Sequence, residues 1–541
     1  MAVGYALLAR ALKRRGVDTM FFLMGGPTID AANSCHEAGI RMIDVRHEQA
    51  GAMMAHAYSR LRNAPSVCMA ASGPGTTNLT TGLANAFVDN APVVALGGAS
   101  ELSQVGRRSF QEVDQLAMMR PIVRWAARVQ DTKRIPELVE TAFREATANG
   151  TGPVYLDLPA DVLYGEVDEA AVWWPDPTDP RTRNPGDPAL VERAVELLAK
   201  AKRPVIVSGS GVFWSDATDD YQRWVEQTGI PFFTTPHGRG AIPEDHPQLY
   251  PGVRSKAFQE TDAIVVLATR LNYMIDYGNP PRFAQDARLI QIDINAGEIG
   301  RTRRADVGIV GDVGAVLRQL IEASDGRLTP DLYADWRGAL QEADDAKKPK
   351  RVAAGENDAV PIHPLRLCKE IQGVLDRDAI LVVDGQEILN FGRQSLSTYT
   401  PRHRLNSGPL GTMGVGLPFG LGAKVAKPET QVLVLHGDGS LGLNVMELDT
   451  AVRHKIPVVT VVSNNGGWTA DNRFKAGRDL GYTRFDLVAK ALGCHGEHVE
   501  TPDEIRPALD RAFASGLPAV VNVVTDAEAR AATVDFTRYV T

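Results

Sequence analysis

Disulfide scaffolds and cysteine-rich metal sites are excluded first, because only four cysteines occur in 541 residues. Cys35, Cys68, Cys368 and Cys494 stand far apart without ligand spacing and read as reduced, packed thiols of a cytoplasmic protein. Long apolar runs are missing too. None approaches the roughly 20 residues of a membrane-spanning helix, and the N-terminus enters an amphipathic helix, Val3 to Arg14, with no signal-peptide pattern. Positive charge is scattered and the net charge is −8, which makes nucleic acid an unsuitable partner. A histidine pair for acid–base work is lacking as well: His36 and His47 stand singly, and His47 reads as structural.

What the chain has in place of these is alternation. Residues 1–170 interleave helical periods with apolar runs at Thr19 to Leu23, Ile40 to Val45, Ser66 to Ala71, Val93 to Leu96 and Val154 to Leu158. Gly25-Gly26-Pro27 opens one helix and His47-Glu48-Gln49 another. Gly73-Pro74-Gly75-Thr76-Thr77-Asn78 opens a third that reads through to Val88. Trp174 to Pro188 is too rich in Pro and Asp for regular structure and reads as a linker. A second domain, 190–342, has strand signals at Pro204 to Val207, Ala263 to Leu267 and Leu289 to Ile292. Asp344 to Val360, charged and containing Gly and Pro, reads as a second linker, and residues 361–541 form a third alternating domain. The pattern predicts an α/β protein of three doubly wound domains with mostly parallel sheets. Residues after Val524 are weakly patterned, either a loose tail or a flap.

The most informative stretch is His436 to Trp468. An apolar run, Gln431 to Leu435, enters Gly437-Asp438-Gly439. A helical period follows, with Leu443, Met446, Leu448 and Val452 on its apolar side. A second apolar run, Pro457 to Val462, leads into Asn464-Asn465-Gly466-Gly467. A βαβ unit of this kind sets its two loops side by side at the carboxyl ends of neighbouring strands, where open α/β sheets bind ligands. Asp438 offers a carboxylate, Asn464 or Asn465 an amide oxygen, and Gly466 and Gly467 unobstructed carbonyls. These are hard oxygen donors suited to Mg²⁺, which takes phosphate oxygens as further ligands.

Together the two loops resemble the thiamine-diphosphate (ThDP) signature, and nearly the whole chain resembles the ThDP-dependent decarboxylase/carboligase superfamily. The resemblance implies a pyrimidine-binding domain (1–170), a central domain (190–342) able to bind a nucleotide such as ADP, and a diphosphate- and Mg²⁺-binding domain (361–541). It implies a homodimer or homotetramer with active sites between subunits. Asp438, Asn465 and the Gly467 carbonyl are implied as Mg²⁺ ligands, with Gly437, Gly439, Ser440 and Gln386 at the diphosphate. Glu48 would hydrogen-bond N1′ of the aminopyrimidine and activate the cofactor. Met413 would support its bent conformation, and the Gly411 carbonyl would accept from its 4′-amino group.

Two stretches bear on substrate and point different ways. GPGTTN (73–78) and SFQEVDQLAMMRPIVRWAARV (109–129) resemble acetolactate synthase, with Gly26, Phe110 and Gln111 lining the substrate pocket. ATRLNY (268–273), followed by Pro280-Pro281-Arg282-Phe283, resembles the oxalyl-CoA decarboxylase and 2-hydroxyacyl-CoA lyase branch. In that branch Asp293 would meet a ribose hydroxyl and Asp312 an adenine; the plainer role for both is strand-end and helix capping. Trp468 would face the reacting centre, and Arg473, Lys475 and Arg478 an anionic group. The expectation is a ThDP- and Mg²⁺-dependent lyase of 2-hydroxyacyl-CoA. The alternatives are an acetolactate synthase-like carboligase of 2-oxoacids, an oxalyl-CoA decarboxylase, or an inactive nucleotide-binding homologue. Intact Glu48, Asp438 and Asn465 argue against the last.

Overall fold

The structure, a computed structural model, describes residues 1–178, 181, 183–469 and 476–531. The chain divides into two compact units, residues 1–347 with 399–402 and 408–411, and residues 348–398, 403–407 and 412–541.

The first unit holds two parallel sheets. β1 (Ala2–Val3) and β8 (Glu166–Val167) pair antiparallel beside the first of them. That sheet contains β2 (Thr19–Leu23), β3 (Arg41–Asp44), β4 (Ser66–Ala70), β5 (Val93–Ala99), β6 (Trp125–Arg128) and β7 (Val154–Pro159), in the order β3-β2-β4-β5-β7-β6. The second has β9 (Pro204–Ser208), β10 (Phe232–Thr234), β11 (Ala263–Leu267), β12 (Arg288–Asp293) and β13 (Val307–Val310), in the order β10-β9-β11-β12-β13. The second unit has one sheet: β14 (Ile380–Asp384), β15 (Arg404–Leu405), β16 (Val432–Gly437), β17 (Val459–Asn464), β18 (His495–Val499) and β19 (Ala519–Val524), ordered β15-β14-β16-β17-β19-β18. The central strands are apolar on both faces, as in Ala-Ile-Val-Val-Leu of β11, because helices cover both sides of a parallel sheet. The α/β class with mostly parallel sheets is therefore as expected.

Helix packing fixes the part of the first unit that matters most for function. The helix Glu48–Arg62 is buried at nearly every position, which its Ala-rich sequence tolerates. The helix Thr80–Asp89 crosses it closely at Gly82, where a Cβ would lie 2.6 Å from that of Ala52. Only glycine allows this approach.

Several expectations are corrected. The helix read from Gly73 through Val88 is two, Pro74–Asn78 and Thr80–Asp89, meeting at Leu79. The second linker is largely the end of a helix, Ala334–Gly355, which runs through Pro349. Its run of Ala, Lys and Asp residues includes enough strong helix formers to outweigh one proline on an exposed stretch. The single helical period read after Asp438 is two helices, Asp438–Asn444 and Glu447–Arg453, and its apolar side is buried only in part: Leu448 is buried, Leu443 and Met446 are about half exposed, and Asn444, Glu447 and Thr450 are buried as well. By contrast, Trp174 to Asp187 takes no helix or strand in its described residues. All four cysteines are free and buried. Among the described residues no helix is long and apolar enough to cross a membrane.

Candidate active site

In the second unit, β14, β16 and β17 are neighbours, with Gly437 opposite Ser463. Their carboxyl ends deliver Gln386, the Gly437 turn and Asn465 to one cleft. Met413, Asp438, Gly439, Ser440, Gly467 and Trp468 line it too. The helix Asp438–Asn444 begins at once after β16, which places its first residues, Asp438, Gly439 and Ser440, at the cleft. Asp438 is 4% exposed, and its Oδ2 has no hydrogen-bond partner among the described residues. Burial pushes its carboxyl up to about 7, against the opposing pull of backbone amides at Gly439, Gly466 and Gly467. A buried carboxylate oxygen without a donor is what a cation would satisfy.

The two asparagines separate clearly. Asn464 is consumed by the fold: its Nδ2 donates to Thr483 O and Asn522 Oδ1, and its Oδ1 accepts from Gly466 N. Asn465 donates to Thr469 O at 3.1 Å, which leaves its oxygen end for a cation. The Ser440 hydroxyl, expected at the diphosphate, turns inward. It donates to Gly437 O at 3.0 Å and lies 2.9 Å from His436 Nδ1. The indole of Trp468 lies against Gly439. The chain beyond β19 also reaches the cleft through Thr525, Asp526 and Ala529. The expected tail or flap beyond residue 531 lies outside the described residues, as do Arg473 and Lys475.

In the first unit Glu48 is the first residue of its helix and is 8% exposed. Its Oε2 accepts from Asn78 Nδ2 at 2.9 Å, a partner that the GPGTTN stretch contained but the sequence did not single out. His47 caps the same helix by accepting from Gln49 N, the structural role expected for it. Gly26, Ser72 and Gln111 meet nearby, with Ser72 Oγ donating to Gln111 Oε1 at 2.7 Å. Phe110, next to Gln111, is 84% exposed. Gly411 belongs to a short segment of this unit held by Tyr273, whose hydroxyl donates to Pro409 O.

A cavity of about 180 Å³ lies elsewhere in the first unit. Asp293 and Asp312 both line it, with Arg124, Arg181, Arg183 and Arg270. Asp312 does cap a helix, accepting from Ala315 N, and Asp293 accepts from Asn295 N at the end of β12. Burial pushes the Asp293 carboxyl up to about 6. Structural duty and cavity lining therefore coexist at both aspartates. The arginines and the cavity itself were not legible in the sequence, because they come from segments far apart in the chain.

Comparison with known families matches three models along the chain: "Thiamine pyrophosphate enzyme, N-terminal TPP binding domain" over residues 3–118, "central domain" over 191–320, and "C-terminal TPP binding domain" over 389–523. The chain belongs to the thiamine pyrophosphate enzymes. Among relatives of this thiamine pyrophosphate enzyme, an acetolactate synthase large subunit of Mycobacterium tuberculosis is 36% identical, over 96% of this chain and 95% of its own. The 2-hydroxyacyl-CoA lyase 1 of Mus musculus is 32% identical over 98% and 96%, and the 2-hydroxyacyl-CoA lyase of Arabidopsis thaliana 34% over 97% and 95%. The family thus carries both features read from the sequence, and its two TPP-binding models fall on the stretches containing Glu48 and Asp438.

Proposed function

We propose that this thiamine pyrophosphate enzyme is a Mg²⁺-dependent lyase that cleaves a 2-hydroxyacyl-CoA, reversibly, to formyl-CoA and an aldehyde or ketone. The C1–C2 bond breaks, the 2-hydroxyl oxygen becomes the carbonyl oxygen, and a proton is delivered to the formyl carbon. Supporting the lyase reading is Ala268 to Phe283, which resembles the 2-hydroxyacyl-CoA lyase branch. Asp438, Asn465 and the Gly467 carbonyl would hold Mg²⁺, consistent with the unpartnered Asp438 oxygen. Gln386, Gly437, Gly439 and Ser440 would hold the diphosphate, Ser440 through its backbone because its hydroxyl is turned inward. When bound, ThDP supplies a carbon nucleophile and an electron sink. Glu48, oriented by Asn78, would hold and return a proton at N1′ of the pyrimidine. Met413 and the Gly411 carbonyl would fix the cofactor's bend. Gly26, Phe110, Gln111 and Trp468 would surround the substrate. We further propose a cytoplasmic homodimer or homotetramer with shared sites, and ADP in the cavity at Asp293 and Asp312, its phosphates near the arginines.

A second reading, acetolactate synthase-like joining of 2-oxoacids, is favoured by the 36% identical relative. The deciding experiment supplies the holoenzyme with 2-hydroxyisobutyryl-CoA or lactyl-CoA in one arm and pyruvate in the other. Formyl-CoA release is expected. Acetolactate from pyruvate, with no acyl-CoA cleavage, would overturn the lyase.

A further inference from the structure

We infer that Gln115 is a positioning residue for the substrate wall, setting the shape of the Gly73 turn and through it the orientation of Gln111. Gln115 begins a short helix, Gln115–Met119, four residues after Gln111, and is 2% exposed. Its two ends face opposite tasks. Oε1 accepts from Gly73 N at 2.6 Å. Nε2 faces Gly98 O at 3.0 Å, the Tyr155 hydroxyl at 3.0 Å and Asp157 Oδ1 at 2.7 Å. The Tyr155 hydroxyl donates in turn to Asp157 Oδ1, and Arg128 pairs with Asp157 Oδ2. The amide is therefore oriented by the carbonyl and carboxylate on its nitrogen side, which leaves only its oxygen to take the Gly73 amide.

That bond matters because of what sits on Gly73. Gly73 has φ +59°, and a Cβ there would lie 2.5 Å from Gln111 O and 3.0 Å from Gln111 Cα. The Gln111 backbone rests directly on this turn and is itself left-handed, with φ +59°. Its side chain is fixed by Ser72, the residue before Gly73, and Ser100 Oγ donates to Phe110 O. Gln115 thus connects the carboxyl ends of β5 and β7 to the two residues expected to meet substrate. An apolar residue would fill the space but leave the Gly73 amide, Asp157 and Gly98 O short of one bond each. The inference rests on the proposed role of Gln111 at the substrate.

The test uses full-length holoenzyme carrying Gln115→Met, Gln115→Glu or Ser72→Ala, and the double variant of Ser72→Ala with Gln115→Met. Hydrogen–deuterium exchange over residues 70–79 reads the turn without any substrate, and should speed up about tenfold in Gln115→Met, as expected for one lost buried hydrogen bond. Gln115→Glu keeps the acceptor for Gly73 but brings a carboxylate against Asp157 when ionised, so its defect should ease at acidic pH. For whichever acyl-CoA or pyruvate the wild type turns over, KM should rise about fivefold or more, with ThDP affinity unchanged. The Ser72 and Gln115 effects should be non-additive, since both act on Gln111. Unchanged exchange at the turn overturns the inference. So does a lower melting temperature with unchanged KM, which would make Gln115 merely structural. If the wild type turns over neither substrate, the functional reading fails, while the exchange data still decide whether Gln115 holds the turn.

Discussion

At the scale of single residues, the Glu48–Asn78 hydrogen bond is the sharpest handle on the chemistry. Glu48→Gln keeps the shape and the hydrogen-bonding reach but cannot exchange a proton in the same way. Turnover by the holoenzyme should fall about 10²- to 10³-fold, with ThDP affinity changed little. Asn78→Ala leaves the carboxylate present but unoriented, and about a tenfold loss is expected. Equal losses in the two variants, in parallel steady-state assays, would mean that Glu48 works through packing. Asp293 provides a pH test. Its carboxyl is pushed up to about 6 by burial, above the roughly 3.9 of an unfolded chain. The folded state therefore keeps a proton that the unfolded state releases between about pH 4 and 6. The stability this supplies is complete below about pH 4 and is lost as pH rises through 6. Asp293→Asn retains the acceptor for Asn295 N without the charge. A shift of about two units is worth up to about 3 kcal/mol, so this variant should melt higher than wild type at pH 8 and alike near pH 4. No gain at pH 8 would mean that Arg270 already neutralises the charge.

At the scale of elements, position depends on a few close approaches. The helices Glu48–Arg62 and Thr80–Asp89 cross at Gly82, with Ala52 Cβ and Gln49 O within 2.8 Å of where a Cβ would stand. Gly82→Ala should cost about 1–3 kcal/mol through overpacking. It should also lower turnover, because the helix it displaces begins at Glu48; chemical denaturation and a steady-state assay measure the two effects. The sequence showed the strands that form the middle of each sheet, since runs such as Ala263 to Leu267 are apolar on both faces. It missed β6, β10, β13, β15 and β18, which are the short or polar strands at sheet edges, as in His-Gly-Glu-His-Val of β18. Gln386, Asp438 and Asn465 at the cleft of the second unit were legible because each follows the end of a strand within a polar, Gly-containing turn. Asn78 and Gln115 were not, although both lie within stretches that stood out. Their roles depend on which side chain each meets across the fold, and spacing along the chain says nothing about that. The two short helices after Asp438, Asp438–Asn444 and Glu447–Arg453, were misread as one for a related reason. Their buried faces carry Leu448 but also Asn444, which donates to Gly414 O, and Glu447, which accepts from Thr450, so periodicity of apolar residues alone found only part of the buried side.

At the scale of the whole molecule, the proposed chemistry divides between units: Glu48 lies in the first and Asp438 and Asn465 in the second. If active sites form between subunits, as proposed, each site draws Glu48 from one chain and Asp438 from its partner. Glu48→Gln and Asp438→Ala homomers should each retain no more than about 1% of wild-type activity, because every site lacks one of the pair. In a heterodimer of the two, one site carries both substitutions and the other carries neither. Random pairing of equal amounts gives half heterodimers, each with one intact site of two, so the mixture should recover about a quarter of wild-type activity. Unfolding and refolding the variants together, or coexpressing them with different tags and purifying the mixed species, provides the exchange. The purified mixed dimer should show about half the wild-type activity per dimer. Sites contained within one chain give a different result: every chain then carries a defect, and no mixture recovers activity at any ratio. Recovery also has to disappear on dilution below the dimer dissociation constant, since binding to a partner is governed by mass action. A recovered activity that survives such dilution would contradict the shared site, even if the quarter yield were observed.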